Sequence, residues 1–68
     1  MIRYDYRKIR ELREINGLNQ KQFADRLGVS RAAVCYWEKG SREPQLVLLG
    51  EICNKFDVEP TYFFLNVD

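Results

Sequence analysis

The side chains that most often carry out chemistry in proteins are scarce in this 68-residue chain. It has no histidine, which removes the usual general base and the commonest metal ligand. Its two cysteines, Cys35 and Cys53, stand 18 positions apart and cannot supply the four ligands of a zinc site. No nucleophile stands beside a base, and no pair of carboxylates suggests acid–base catalysis. We therefore predict that the protein is not an enzyme and that it binds no metal and no cofactor.

The charge total by itself argues against a nucleic-acid binder, which usually carries a basic excess, but the charge is unevenly distributed along the chain. The net charge is only +1, but residues 1–44 carry a charge of +4 and residues 45–68 a charge of −3. Basic charge gathered in one part of a chain can give one face of the domain a positive potential. No apolar run approaches the roughly 20 residues of a transmembrane helix, and so short a chain has little room for a deep cleft. Neither a membrane partner nor a small-molecule ligand is predicted.

Regularly spaced glycines and prolines divide the chain into five predicted helices. Gly17, Gly28 and Gly40 end three segments, because glycine accepts the left-handed conformation that often follows a helix. Pro44 and Pro60 introduce two more, since proline is favoured at the first helical position. Nothing alternates with a period of two for long enough to indicate a strand. The predicted fold is all-α, a single domain over residues 1–68 with helices near 5–16, 20–27, 31–39, 45–56 and from 60 onward.

Helices 2 and 3 are close enough in sequence to form a helix-turn-helix. Only Gly28 and Val29 separate helix 2 from Ser30, which is placed to cap helix 3. Asn19 and Gln22 have the spacing of a capping box at the start of helix 2. So short a connection makes the helices cross at a steep angle. A small residue at the crossing, a glycine in the turn and two apolar side chains are expected to hold this motif together: Ala24, Gly28, Val34 and Trp37.

A family resemblance is carried by the segment 18–40, whose sequence is LNQKQFADRLGVSRAAVCYWEKG. It resembles the helix-turn-helix of the phage-repressor-like regulators of the Xre/Cro/cI family. The three motifs are LNQ opening helix 2, LGVSR in the turn and WEKG closing helix 3, all at the family's spacing. The similarity begins near Ile9 and continues through Pro44 to Phe63, so it covers nearly the whole chain. It implies a compact five-helix lambda-repressor-like DNA-binding domain with its helix-turn-helix at about residues 19–39.

The resemblance implies that helix 3 lies in the major groove of double-stranded DNA. Arg31 would then lie near the base edges, where its guanidinium can donate to O6 and N7 of one guanine. The methyl group of Ala32 can contact a thymine methyl group, and Tyr36 lies one turn further along. The predicted base-reading residues are Ser30, Arg31, Ala32, Cys35 and Tyr36.

The resemblance also assigns residues to the DNA backbone. Gln20 opens helix 2, where the positive end of that helix favours a phosphate. Arg13 and Glu38 match a family pair, which we interpret as a structural ion pair and not as DNA contacts. The predicted phosphate contacts are Gln20, Lys21, Lys39, Ser41 and Arg42.

Helix 4 departs from the family pattern because it contains consecutive apolar residues. Its predicted buried face comprises Leu46, Leu49, Ile52, Cys53 and Phe56. Three neighbouring apolar side chains from position 46 onward cannot all face one core. They are either scattered exposed residues or part of a self-association surface with the end of the chain. The residues of that surface would be Val47, Leu48, Tyr62, Phe63 and Phe64.

Together, these observations predict a cytoplasmic, nucleoid-associated transcriptional regulator of bacterial or phage origin, acting as a repressor. One small module buries about 600–1,000 Å² of its surface on DNA, which is little for a specific site. We therefore expect a homodimer on a two-fold symmetric operator whose half-sites lie one helical turn apart. The alternative is an antitoxin-like or other protein-interaction module that uses the apolar surface of helices 4 and 5.

Overall fold

The helices of the protein begin and end close to its capping residues. The computed structural model describes residues 1–66 and contains four α-helices: α1 (Arg7–Ile15), α2 (Gln20–Leu27), α3 (Arg31–Lys39) and α4 (Leu46–Phe56). Residues 67 and 68 of the predicted domain lie outside this described part. The longest helix has 11 residues, and none within residues 1–66 has the length and apolar character that a membrane crossing needs.

The predicted caps of α2 and α3 are confirmed. At the start of α2, the Asn19 side chain accepts a hydrogen bond from the Gln22 backbone N–H at 2.8 Å. The Gln22 side chain in turn accepts from the Asn19 backbone N–H at 2.9 Å, which completes the capping box. At the start of α3, Ser30 Oγ accepts from the Ala33 N–H at 3.1 Å. Each cap contributes about 1 kcal/mol, so local sequence fixes where both helices begin.

The prediction of an all-α chain with five helices is wrong at both ends. Strand β1 (Ile2–Tyr4) pairs antiparallel with strand β2 (Phe64–Asn66), with Ile2 opposite Asn66 and Tyr4 opposite Phe64. The segment that starts at Pro60 is a short 3-10 helix of four residues, which runs directly into β2. Strands of three residues are too short to show a period of two, and this pairing joins distant segments of the chain.

The core receives one apolar face from each helix and a single ring from the 3-10 helix. The Phe23 and Phe56 rings stack within it, with 5.0 Å between their centroids. Leu46 is 82% exposed, so its predicted place on the buried face of α4 is wrong. It is the first residue of that helix, and α4 contributes its first buried side chain at Leu49, one turn later. The buried apolar residues are Ile9, Leu12, Phe23, Ala24, Leu27, Val34, Trp37, Leu49, Ile52, Cys53 and Phe63.

A buried carboxylate joins the strand pair to α1. Asp5 lies between β1 and α1, and its Oδ1 accepts from the backbone N–H of Arg7 at 3.1 Å and from Arg7 Nε at 2.9 Å. Its own backbone N–H donates to the Phe63 carbonyl at 2.7 Å. The side-chain hydrogen bond from Arg7 lowers the pKa of Asp5, although burial of the carboxyl acts in the opposite direction. The charged form of Asp5 therefore stabilises the junction of the two chain ends.

The turn after α3 is closed by a glycine packed against an aromatic ring. Gly40 has a φ of +77°, and a Cβ atom at this position would lie 2.9 Å from Cδ1 of Tyr6. Gly28, between α2 and α3, has a φ of +68°, but a Cβ there would meet nothing within 4 Å. The two glycines thus share a left-handed backbone and differ in the space around them.

Replacing each of these glycines by alanine is expected to separate backbone strain from packing. Gly28→Ala should lower the free energy of unfolding by about 1–2 kcal/mol, the cost of a left-handed conformation for a residue with a Cβ. Gly40→Ala should lower it further, because the Tyr6 ring must also move. Urea denaturation of both variants measures the difference. Equal losses would show that Tyr6 does not restrict the turn.

Acidification is expected to destabilise the protein partly through Asp5. Because its folded-state pKa is lowered, Asp5 stabilises the fold fully above its unfolded pKa of about 3.9. That contribution is lost as the pH falls through the lower, folded-state pKa. The free energy of unfolding of the wild type should therefore fall more steeply below pH 4 than that of Asp5→Asn. Asp25→Asn, which removes an exposed carboxylate, is the control that keeps the Asp5 contribution. Identical acid losses in the wild type and Asp5→Asn would contradict this role.

Candidate nucleic-acid interface

The helix-turn-helix holds α3 with one face in the core and the opposite face in solvent. Val34 and Trp37 are both buried, which fixes the rotation of α3 about its axis. Ala24 is buried in α2, and its carbonyl accepts from the Val29 N–H at 3.1 Å in the turn. Gly28 supplies the left-handed residue that this turn requires. Arg31, Ala32 and Tyr36 are exposed on the other side of α3 and therefore point away from the core.

The outward side of α3 carries the residues that the sequence assigns to base reading. Ser30, Arg31 and Ala32 are exposed at the N-terminal end, and Tyr36 is exposed one turn further along. Cys35 is half-buried, so it offers less of its side chain than the others. An α-helix with its side chains is about 10–12 Å in diameter, so α3 can enter a major groove about 12 Å wide.

A shallow depression brings predicted phosphate contacts together with a predicted base-reading residue. It has a volume of about 490 Å³ and lies where α2 and α3 begin. At the start of α2, Asn19 accepts the hydrogen bonds of the Gln22 and Phe23 amides. The amides of Gln20 and Lys21 have no carbonyl one turn earlier within the helix. Positive side chains and a helix N-terminus together favour an anion. The lining residues are Arg13, Asn19, Gln20, Lys21 and Arg31.

A bidentate ion pair connects this depression to the end of α3. Arg13 Nε donates to Glu38 Oε2 at 2.7 Å, and Arg13 Nη2 donates to Glu38 Oε1 at 2.9 Å. Arg13 also donates to the Leu18 carbonyl at 3.0 Å, and Gln20 Nε2 donates to Glu38 Oε1 at 3.3 Å. The Arg13 and Glu38 side chains are only 13% and 7% exposed, and the hydrogen bond to Glu38 raises the pKa of Arg13. One carboxylate thus joins α1, the start of α2 and the end of α3, and it orients Gln20.

The remaining predicted phosphate contacts are exposed, but their surroundings differ. Lys21 Nζ lies 3.1 Å from Asp25 Oδ2, one turn along α2. Lys39 and Ser41 are exposed at and after the end of α3. The guanidinium carbon of Arg42 lies 5.1 Å from the centroid of the Tyr36 ring. Sequence reasoning missed that last contact, because positions 36 and 42 are not neighbours on a continuous helix.

The predicted self-association surface loses one of its five residues. Phe63 is 0% exposed, so its assignment to a surface is wrong. The 3-10 helix packs against both α1 and α4 and directs this ring into the core, edge-on to Tyr62 at a centroid distance of 5.2 Å. Val47 and Phe64 are exposed, whereas Leu48 and Tyr62 are half-buried. Four of the five predicted residues therefore remain at least partly exposed.

Among residues 1–66, neither cysteine belongs to a cluster of metal ligands. Within residues 1–66, no group of three or more His, Cys, Asp or Glu side chains is placed to hold a metal ion. Cys53 is buried in the core as a free thiol, and burial raises its pKa.

A solvent-facing α3, anchored in the core by Val34 and Trp37 and joined to α2 by a three-residue turn, defines a helix-turn-helix domain. A family model described as helix-turn-helix matches residues 9–63. The chain belongs to the Xre/Cro/cI-type family of helix-turn-helix transcriptional regulators, a DNA-binding class and not a class of enzymes. Its structure is similar to that of the restriction-modification controller protein C.AhdI from Aeromonas hydrophila. The TM-score is 0.74 and the identity 33%, over 84% of this chain and 86% of that one.

Two curated relatives extend the comparison. Over 54 residues the chain is 39% identical to an uncharacterized helix-turn-helix-type transcriptional regulator of Bacillus subtilis (strain 168). That match covers 79% of this chain and 47% of the relative, so the chain spans about half the length of that protein. Over 61 residues it is 34% identical to an uncharacterized regulator of the same type from Methanocaldococcus jannaschii, covering 90% and 92% of the two chains.

Breaking the buried ion pair from one side is expected to be far more damaging than breaking an exposed pair on the same helix. Arg13→Ala leaves the Glu38 carboxylate buried without its partner, so the free energy of unfolding should fall by about 3–5 kcal/mol. Arg10→Ala is the matched control, because Arg10 pairs with Glu14 at 3.1 Å on the exposed side of α1. Its effect should be small, as is usual for surface pairs. Comparable losses in urea denaturation would contradict a special role for the Arg13–Glu38 pair.

Proposed function

We propose that the protein is a sequence-specific double-stranded DNA-binding regulator that reads the major groove with α3. The observation that carries this proposal is the division of α3 into two faces. Val34 and Trp37 anchor the helix in the core, while Arg31, Ala32 and Tyr36 remain exposed. Ser30 and Cys35 complete the proposed base-reading set at the edges of this face.

The proposed phosphate contacts surround α3 on two sides. Gln20 and Lys21 lie at the start of α2, beside the depression that Arg31 also lines. Lys39, Ser41 and Arg42 follow at and after the end of α3. Contacts on both sides would fix the register of the helix on the duplex while leaving sequence discrimination to its outward face.

Repression and dimerisation are further parts of the proposal. A domain that occupies an operator excludes other proteins from the same base pairs, so occupancy of an operator that overlaps a promoter is sufficient to repress. A pair of domains related by two-fold symmetry would double the number of base contacts and set the spacing of the half-sites. The apolar residues Val47, Leu48, Tyr62 and Phe64 are the proposed meeting surface of two copies.

A second candidate function is that of an antitoxin-like protein-interaction module. The observation in its favour is that Leu46 and Val47 are 82% and 78% exposed on α4. The two functions differ in their response to salt. The affinity for duplex DNA should fall steeply as salt is added. The logarithm of the binding constant, plotted against the logarithm of the salt concentration, should have a slope of about −0.9 for each phosphate contacted.

Selection of bound sequences from a random pool of duplexes tests the main proposal directly. The expected result is a short motif that occurs twice, with two-fold symmetry and a centre-to-centre spacing of about 10 base pairs. A single unsymmetrical motif would contradict the dimer, and no enrichment at low salt would contradict DNA binding itself.

Two substitutions on α3 should change DNA binding in different ways. Arg31→Ala should abolish the preference for particular bases at the positions that Arg31 contacts. The binding free energy of the preferred duplex should become less favourable by about 1–3 kcal/mol, and the dependence of affinity on salt should change little. Lys39→Ala should weaken binding to every duplex alike and make the salt slope shallower by about one. Titrations of selected and scrambled duplexes at several salt concentrations separate the two outcomes. If Arg31→Ala behaves like Lys39→Ala, the assignment of Arg31 to base reading is wrong.

A further inference from the structure

We infer that Arg42 is a positioning residue that holds the Tyr36 ring on the base-reading face of α3 and thereby strengthens the preference for one base pair. This inference rests on the proposed function and deepens it. It gives Arg42 a role in specificity in addition to its proposed contact with a phosphate. The evidence lies in the backbone of the loop after α3, in the contact between the two side chains and in the packing beneath the loop.

The backbone of the loop returns to Tyr36. Gly40 reverses the chain with its left-handed conformation, and its N–H donates to the Trp37 carbonyl at 3.2 Å. The backbone N–H groups of the next two residues, Ser41 and Arg42, both donate hydrogen bonds to the Tyr36 carbonyl, at 3.0 and 3.4 Å. The loop is therefore anchored on the residue whose side chain lies on the outward face of α3.

The side chains of Arg42 and Tyr36 also contact each other. The guanidinium carbon of Arg42 lies 5.1 Å from the centroid of the Tyr36 ring, within the roughly 6 Å at which a cation and an aromatic face attract each other. Tyr36 is partly exposed, and an exposed side chain normally exchanges among several staggered rotamers. A planar cation against one face of the ring favours the rotamer that makes this contact. The ring edge and the hydroxyl group remain available to a base.

The loop after α3 packs against the rest of the protein at both of its ends. A Cβ at Gly40 would lie 2.9 Å from Tyr6, so the Tyr6 ring lies directly against the turn. Pro44, two residues after Arg42, is buried. Arg42 therefore extends from a segment that is packed against the protein on both sides in the absence of DNA. The contact with Tyr36 does not require a ligand to order the loop.

A phosphate contact and a positioning contact leave different signatures. Loss of a phosphate contact weakens binding to all sequences and changes the salt slope. Loss of a contact that orients Tyr36 changes the preference at the single base pair that Tyr36 touches. Arg42→Lys keeps the charge for a phosphate but replaces the planar guanidinium, which can stack on the ring, by a compact ammonium that stacks less well, so it weakens the positioning contact selectively.

The experiment measures binding of the full chain to the selected duplex and to all single-base variants of it. Tyr36→Ala is expected to abolish discrimination at one position, which identifies the base pair that Tyr36 contacts. Arg42→Lys should reduce discrimination at that same position measurably, within the roughly two- to fivefold that complete loss of an exposed cation–aromatic contact would give, with the salt slope unchanged. Lys39→Ala is the matched control and should reduce affinity equally for all variants. In the Tyr36→Ala background, Arg42→Lys should have no further effect on base preference.

A readout without DNA tests the contact by itself. In NMR spectra of the free protein, Arg42→Lys should shift the Tyr36 ring resonances, whereas Lys39→Ala should not. Unchanged ring shifts overturn the inference, as does an Arg42→Lys variant that keeps full base discrimination. A Tyr36→Ala variant with unaltered base preferences also overturns it. Failure of the wild-type protein to bind any duplex overturns the proposed function instead, and the ring shifts distinguish that outcome from absence of the contact.

Discussion

The carboxylate of Glu38 is the point at which three helices are fixed relative to one another. It accepts two hydrogen bonds from Arg13 on α1 and one from Gln20 at the start of α2, and it is itself part of α3. A buried ion pair is rarely more stabilising than a well-packed apolar pair of similar volume. Its directional bonds, however, permit one mutual orientation of the helices, whereas apolar side chains tolerate several. The orientation of α3 relative to α1 and α2 depends on this arrangement, and so does the whole proposed interface.

The distribution of charge follows from the same architecture. The net charge of +1 would be a weak attraction for DNA if it were spread evenly over the surface. Arg31 instead lies at the depression where α2 and α3 begin, beside Lys21 and its partner Asp25, and Lys39 follows at the other end of α3. Attraction of this kind is local and short-ranged at physiological salt, where the screening length is about 8 Å. Such a protein should bind duplexes of arbitrary sequence weakly and depend on the outward face of α3 for discrimination.

Sequence alone predicted the features that depend on neighbouring residues. The caps at Asn19 and Ser30 and the left-handed glycine after α3 involve residues at most four positions apart, so their signals are local. The strand pair was missed because β1 and β2 come from opposite ends of the chain. The burial of Phe63 was missed for a related reason, since a 3-10 helix turns its side chains differently from the α-helix that was assumed. The contact of Arg42 with Tyr36 requires a chain reversal between them, which no helical spacing encodes.

The antiparallel pairing of β1 with β2 gives the molecule an unusual mechanical property for a mainly helical domain. Ile2 lies opposite Asn66, so the two ends of the described chain enter the ladder at the same place. A force that pulls these ends apart would open the ladder one pair at a time, from Ile2–Asn66 towards Tyr4–Phe64, without shearing all pairs together. The next contact to bear the load would be the backbone hydrogen bond from Asp5 to Phe63. Tension on the chain ends would therefore peel off the strands before it loads α1 and the 3-10 helix.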